Sequence, residues 1–223
     1  MFVLYHYSLC PFSRKARMVL AEKKLDFQLK LEQFWKREQE LLILNPSGEV
    51  PILIENGKNT VCGGQIIAEY LEETHPETTN LIGTSALHRA EVRRISAWFD
   101  EKFYTEVGKY ILEERIYKFL KNQGPPNSNH LRVASNNLNI HLDYIKFLLK
   151  KHKWLCGENF SLADITAFCH LSSLDYLNEI NWHNYKPVKE WYSLIKSRPS
   201  FKTILEDRIP NFSPAKHYSL LDF

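Results

Sequence analysis

The spacing of apolar residues changes character about a third of the way along the chain. In the first third, short apolar runs alternate with helical stripes. "FVLYHY" reads as a short buried strand, and Phe12, Ala16, Val19 and Leu20 form an apolar stripe on a helix from Phe12 to about Lys24. "DFQLKL" predicts a half-buried strand with Phe27, Leu29 and Leu31 on one face. "REQELLIL" predicts a short helix, ended by the turn "NPSGE". In "VPILIENGKNTVC" two β-rich runs flank Asn56-Gly57, a pair suited to a type I′ hairpin because both central residues need positive φ. A further helix carries Ile66, Ile67, Tyr70 and Leu71 on one side and stops near "THPE". The order β, α, β, α, β-hairpin, α predicts a small mixed sheet covered by helices.

After the polar connection "HPETTNLIGTS" only helical spacing remains. Val92, Ile95, Phe99 and Phe103 follow one another at three- and four-residue steps, and similar stripes run through "YILEERIYKFL", "LRVASNNLNIHLDYIKFLLKK" and the chain from Ser161 onward. The Pro-rich "NQGPPNSNH" predicts a loop between two of these helices. Ser161 and Asp164 stand three apart at the head of an apolar helix, a capping box worth about 1 kcal/mol per cap, with Phe160 placed to staple onto Ile165. The expected organisation is an α/β domain over residues 1–76, a linker over 77–84, and an all-α domain with a C-terminal tail over 85–223.

Composition narrows the function classes. The formal net charge of +3 is small, and its Lys and Arg are spread among acids, which argues against a nucleic-acid partner. No apolar run approaches the roughly 20 residues that span a bilayer, and "MFVLYHYSLC" does not read as a secretion signal. Cys10, Cys62, Cys156 and Cys169 lack metal or disulfide spacing, so a reducing, cytoplasmic setting is expected, with no metal.

"SLCPFSRKAR" holds the candidate chemistry. Cys10 precedes Pro11 at a strand-to-helix junction, where the helix N-terminus and Arg14 would both favour a thiolate. Ser13 occupies the place of a second cysteine in a CxxC pair, so a dithiol cycle is excluded. Ser8 and Ser13 are alternative hydroxyls that could stabilise a ligand thiolate. Cys10 as merely a small residue packed at a helix start is the third reading, and the stretch alone leaves these readings open. Val50-Pro51, at the start of a strand, fits a cis bond that exposes the Val50 backbone for pairing with a peptide-like ligand.

With "CPFSRKAR", "NPSGEVPIL", "IIAEYLEETHP", "SLADITAF" and "SRPSF" in this order, the chain resembles the cytosolic glutathione transferases from end to end. The resemblance implies a thioredoxin-like α/β domain followed by an all-α domain, and a homodimer. Within the superfamily the chain is most similar to bacterial members that bind FtsZ, the tubulin-like division GTPase. That likeness rests on "AWFDEKF", "HLDYIKFL", "VKEWYSLIKSRPSF" and the ending "HYSLLDF".

Transferases hold the γ-glutamyl end of glutathione with an acid or glutamine followed by serine, opening the helix after the hairpin. The resemblance places that pair at Gly63 and Gly64, which have no side chains, with Gln65 as a partial substitute. Each lost charge-assisted bond costs about 1.5–3 kcal/mol, so losing both weakens glutathione about a hundredfold. The expected site is therefore vestigial: Val50, Pro51, Gly63, Gly64 and Gln65 around Cys10, with no cofactor required and glutathione bound weakly. The alternative is a glutathione transferase or thiol transferase using Cys10 or a nearby serine. For the partner surface the resemblance points to Trp35, to Leu131 and Arg132, and to the tail with Asp222. Trp35 folding back onto its own domain is the competing reading.

Overall fold

The computed structural model describes residues 1–221, and Asp222 and Phe223 lie outside the described residues. The first domain builds β1 (Phe2–His6), α1 (Pro11–Glu22), β2 (Phe27–Leu31), α2 (Gln39–Leu44), β3 (Ile52–Glu55), β4 (Asn59–Cys62) and α3 (Gly64–Thr74). The strands lie in the order β2-β1-β3-β4. β2 runs parallel to β1, while β3 and β4 are antiparallel to their neighbours. Asn56 and Gly57 both take positive φ, as the hairpin pair requires, and Lys58 N–H closes the turn on Glu55.

Two apolar assignments change. Leu29 and Leu31 are exposed, Leu31 by 60%, as are Gln28 and Lys30, because the edge strand β2 is bare on both faces beyond Phe27. Ile66 is 62% exposed, while Ile67, Ala68 and Leu71 make the buried face of α3.

The second domain begins with a helical rod over residues 86–120. It comprises α4 (Ala86–Ala97), α5 (Lys109–Leu112) and α6 (Lys118–Leu120), joined by the π-helical stretches Trp98–Gly108 and Glu113–Tyr117. Val92, Ile95, Phe99 and Phe103 are fully buried along it. There follow α7 (Ser128–Leu148), α8 (Leu162–Tyr176), α9 (Lys186–Lys196) and α10 (Pro199–Leu205). The Pro-rich loop ends sooner than the sequence suggests, because Asn127 caps α7 by accepting from the N–H groups of Asn129 and His130. α8 is buried on every side and carries the Ser161–Asp164 capping box. The tail packs on the body: Tyr218 is buried, and its N–H bonds the Ala215 carbonyl. Among the described residues no helix is long and apolar enough to cross a membrane.

α1 is the seam between the domains, packed against α3 on one side and α8 and α10 on the other. Lys15 pairs with Asp100 (2.6 Å), Arg17 with Asp207 (2.6 Å), and Glu22 with Arg198 (2.6 Å). Burial alone would raise the Glu22 and Asp100 carboxyls. The Arg198 and Ser200 bonds at Glu22, and Lys15 with His170 at Asp100, outweigh it and hold both below their ordinary values. A carboxyl with a depressed folded pKa stabilises the fold above its unfolded value, near 4, and loses that contribution as pH falls through the folded value. Glu22→Gln is therefore expected to be less stable than the wild type at pH 7, with the gap closing toward pH 3. Urea midpoints across that range check this, and a gap that stays constant with pH would contradict it.

Candidate functional site

A cavity of about 380 Å³ lies where α1, α3 and the β3 start converge, next to the rod. Val50, Pro51, Gly63, Gly64 and Gln65 line it together with Phe12, Glu49, Cys62, Ile66 and Asp100. The Val50–Pro51 bond is cis, and Gly63 N–H donates to the Pro51 carbonyl at 2.9 Å, which fixes the α3 start against the strand.

Gly63 and Gly64 are glycines for different reasons. Gly63 has φ +93°, where any side chain is strained, yet a Cβ there would meet only Ile66 at 3.9 Å. A Cβ on Gly64 would lie 2.8 Å from the Phe12 carbonyl oxygen, so the close approach of α3 to α1 excludes it. An acid could be placed at 63 with strain, but a hydroxyl at 64 needs the two helices to part. Gly64→Ser is expected to cost about 1–3 kcal/mol in chemical denaturation and to leave glutathione affinity unimproved by calorimetry. Wild-type stability in this variant would show that the contact is not tight.

Gln65 is already engaged. Its oxygen accepts from Lys15 Nζ at 2.5 Å, and its nitrogen donates to Glu69 at 3.0 Å. Lys15 also binds Asp100, whose other oxygen pairs with His170 Nε2 at 3.1 Å. Burial keeps the His170 imidazole below its ordinary value, so it faces Asp100 as a neutral ring donating from Nε2. Asp100, on the first π-helical stretch, thus brings a carboxylate from the second domain into the cavity wall. Sequence reasoning missed both it and Lys15. The "AWFDEKF" segment held Asp100, but only the fold shows which way it faces.

Cys10 is the N-cap residue of α1, but it is only 6% exposed and does not line the cavity. Its thiol donates to the Val50 carbonyl at 3.6 Å. Burial pushes the thiol up from its ordinary value, against Ser13 and the N–H groups of Phe12 and Ser13, which favour the thiolate. Arg14 does not help it, because its guanidinium bonds the Ser8 carbonyl (2.7 Å) and Ser172 Oγ (2.8 Å). Burial and the turned-away Arg14 thus weigh against the thiolate that the helix N-terminus would favour. Ser13 is fully buried and accepts from Tyr7 N–H, and Ser8 is buried beside it.

Trp35 is half-buried in an aromatic cluster, its ring 4.9 Å from Tyr7 and 5.8 Å from Tyr117, with Phe34 at 5.3 Å. It folds back onto the body and stays partly exposed. Three residues before Tyr117, the buried Glu114 accepts from Asn127 N–H and pairs with His130, fixing the start of α7 with the half-buried Leu131 and exposed Arg132. The tail reaches the same end of the rod, where Phe212 packs on Phe119 at 5.1 Å. Residues 114–119 thus gather three segments that are far apart in sequence. The fourth candidate of this group, Asp222, lies outside the described residues.

A thioredoxin-like sheet with a cis-proline cavity, joined along α1 to a helical domain, defines the class, and this chain belongs to the glutathione transferase family. Residues 9–74 match the family model "Glutathione S-transferase, N-terminal domain" and residues 112–208 match "Glutathione S-transferase, C-terminal domain". It is 41% identical to FtsZ-localized protein A of Caulobacter vibrioides, over 99% of this chain and 97% of that one. The solved structure of FzlA from C. crescentus superposes with a TM-score of 0.96 at 40% identity, covering 100% and 99% of the two chains. A glutathione S-transferase from Rhodospirillum rubrum F11 gives 0.97 at 45% identity, with both chains fully covered.

Proposed function

We propose that this protein binds FtsZ filaments in bacterial cell division, with weak or absent glutathione chemistry. The observation that carries this reading is the full-length likeness to FtsZ-localized protein A, which leaves no segment of either chain unmatched beyond a few residues. The site supports it from the other side. The two positions that would grip a γ-glutamyl group carry no side chains, one of them closed by backbone, and Cys10 is buried as a thiol. The binding surface in this reading is the end of the rod, with Trp35, Leu131, Arg132 and the tail through Asp222. The setting is the cytoplasm, and the assembly is a homodimer of two-domain subunits.

Co-sedimentation tests it. The full chain is expected in the pellet with FtsZ assembled in GTP and in the supernatant with FtsZ in GDP. Absence of any GTP-dependent pelleting would overturn the proposal.

The second reading, glutathione chemistry, has one observation in its favour: the cavity beside cis Val50–Pro51 is open and holds Asp100. Calorimetry separates the two. No saturable heat is expected below about millimolar glutathione, given the two lost contacts. Micromolar binding, or a mixed disulfide at Cys10 seen by mass, would favour the enzyme.

A further inference from the structure

Among the described residues beyond α10 the chain forms no helix, and its one β contact is an isolated bridge between Ile209 and Phe212. Of residues 209–221 only Ile209 and Tyr218 are buried. Two buried apolar side chains are a thin attachment for so long a segment, because every residue held in place loses conformational entropy.

Polar contacts reinforce it, and they gather on the last two residues of α8. The Tyr176 carbonyl accepts from Ala215 N–H at 2.9 Å. The Tyr176 hydroxyl donates to the Phe212 carbonyl at 2.7 Å and accepts from Ile209 N–H at 3.1 Å, and its ring packs on Tyr218 at 5.2 Å. Asp175 is fully buried and accepts three bonds. Two come from the body of the domain, Trp182 Nε1 at 2.7 Å and Tyr192 OH at 2.9 Å, and the third comes from the tail, His217 Nε2 at 2.7 Å. Lys196 grips His217 from its other end, donating from Nζ to the backbone carbonyl at 3.1 Å.

His217 is the separable member of this set. Without its imidazole, Asp175 keeps Trp182 and Tyr192 as donors, with Lys196 Nζ 3.9 Å away, so the body retains its buried carboxylate while the tail loses a charge-assisted bond. Removing Tyr176 or Tyr218 would instead open the core. Just beyond this anchor, Leu220 and Leu221 turn out to solvent, 52% and 47% exposed. We propose that His217 is a positioning residue for partner binding. By tying the tail to Asp175 it holds residues 215–221 in one place, so their ordering is complete before FtsZ arrives and is not charged against the affinity. The binding role rests on the FtsZ reading above, whereas the tie is a property of the free protein.

The test compares the full chain with His217→Ala and His217→Gln. In His217→Ala, amide hydrogen exchange of the free protein is expected to quicken roughly tenfold or more at Ala215 and Tyr218, the factor that a lost bond to a charged group carries. Exchange in α8 should stay at the wild-type rate, and the melting temperature within about 2 °C. GTP-dependent co-sedimentation with FtsZ should weaken by about the same factor of ten. His217→Gln keeps an N–H donor on a long side chain and should recover a large part of both effects. Unchanged tail exchange in His217→Ala would overturn the tie. Faster exchange with undiminished pelleting, or equal pelleting losses in the two variants, would overturn the positioning role. Failure of the wild type itself to pellet would remove FtsZ as the partner and the binding role with it, while tail exchange would still uphold or overturn the tie.

Discussion

Trp35→Ala is expected to lose GTP-dependent co-sedimentation with FtsZ, weakening binding about 30-fold or more. Tryptophan anchors at interface centres lose about 2 kcal/mol or more on truncation, and each 1.4 kcal/mol is a factor of ten. The position suits an anchor. The indole is held by Tyr7, Phe34 and Tyr117, so little side-chain freedom remains to be lost on binding, yet the residue stays partly exposed. The same contacts mean that alanine also removes packing. Trp35→Phe is the comparison: it keeps ring contacts and should keep the melting temperature near wild type while losing part of the binding. Arg132→Glu, at an exposed position, separates binding from folding more cleanly and should weaken pelleting with no stability cost. Undiminished pelleting in both Trp35→Ala and Arg132→Glu would remove the end of the rod as the partner surface.

Asp164→Ala is expected to cost about 3–5 kcal/mol, a large share of the 5–15 kcal/mol that keeps such a protein folded. The sequence presents Asp164 as one half of a capping box, worth about 1 kcal/mol. In the fold its carboxylate is fully buried and accepts four bonds: from Leu155 N–H (2.9 Å), Ser161 N–H (3.0 Å), Ser161 Oγ (2.9 Å) and Trp191 Nε1 (3.0 Å). Removing it strands at least three buried donors, each costing about 1–3 kcal/mol and not fully additive. Ser161→Ala removes the cap and one of these four bonds but leaves the other three donors paired, and should cost about 1 kcal/mol. Equal losses in the two variants, measured by urea denaturation, would reduce Asp164 to an ordinary capping residue.

The contrast between Asp164 and its cap shows what kind of information each level carries. Local signals are readable because they act over a few residues. Asn56-Gly57 gives the hairpin, Ser161 the helix start, and the three- and four-residue spacing of Val92, Ile95, Phe99 and Phe103 the buried face of the rod. The missing side chains at Gly63 and Gly64 were equally legible, although the sequence could not tell that one is absent for conformation and the other for space.

By itself, then, the sequence determined the order of elements, the two-domain class and the family, all of which rest on periodicity and short motifs. Tertiary structure decided the electrostatics, because charges act through whatever the fold places beside them. A helix with an expected apolar stripe became a seam buried on nearly all sides, so Arg14 turned from the Cys10 thiol toward Ser8, Ser172 and the tail. Only that packing made Cys10 a buried thiol and brought Asp100 to the cavity from 85 residues beyond Lys15.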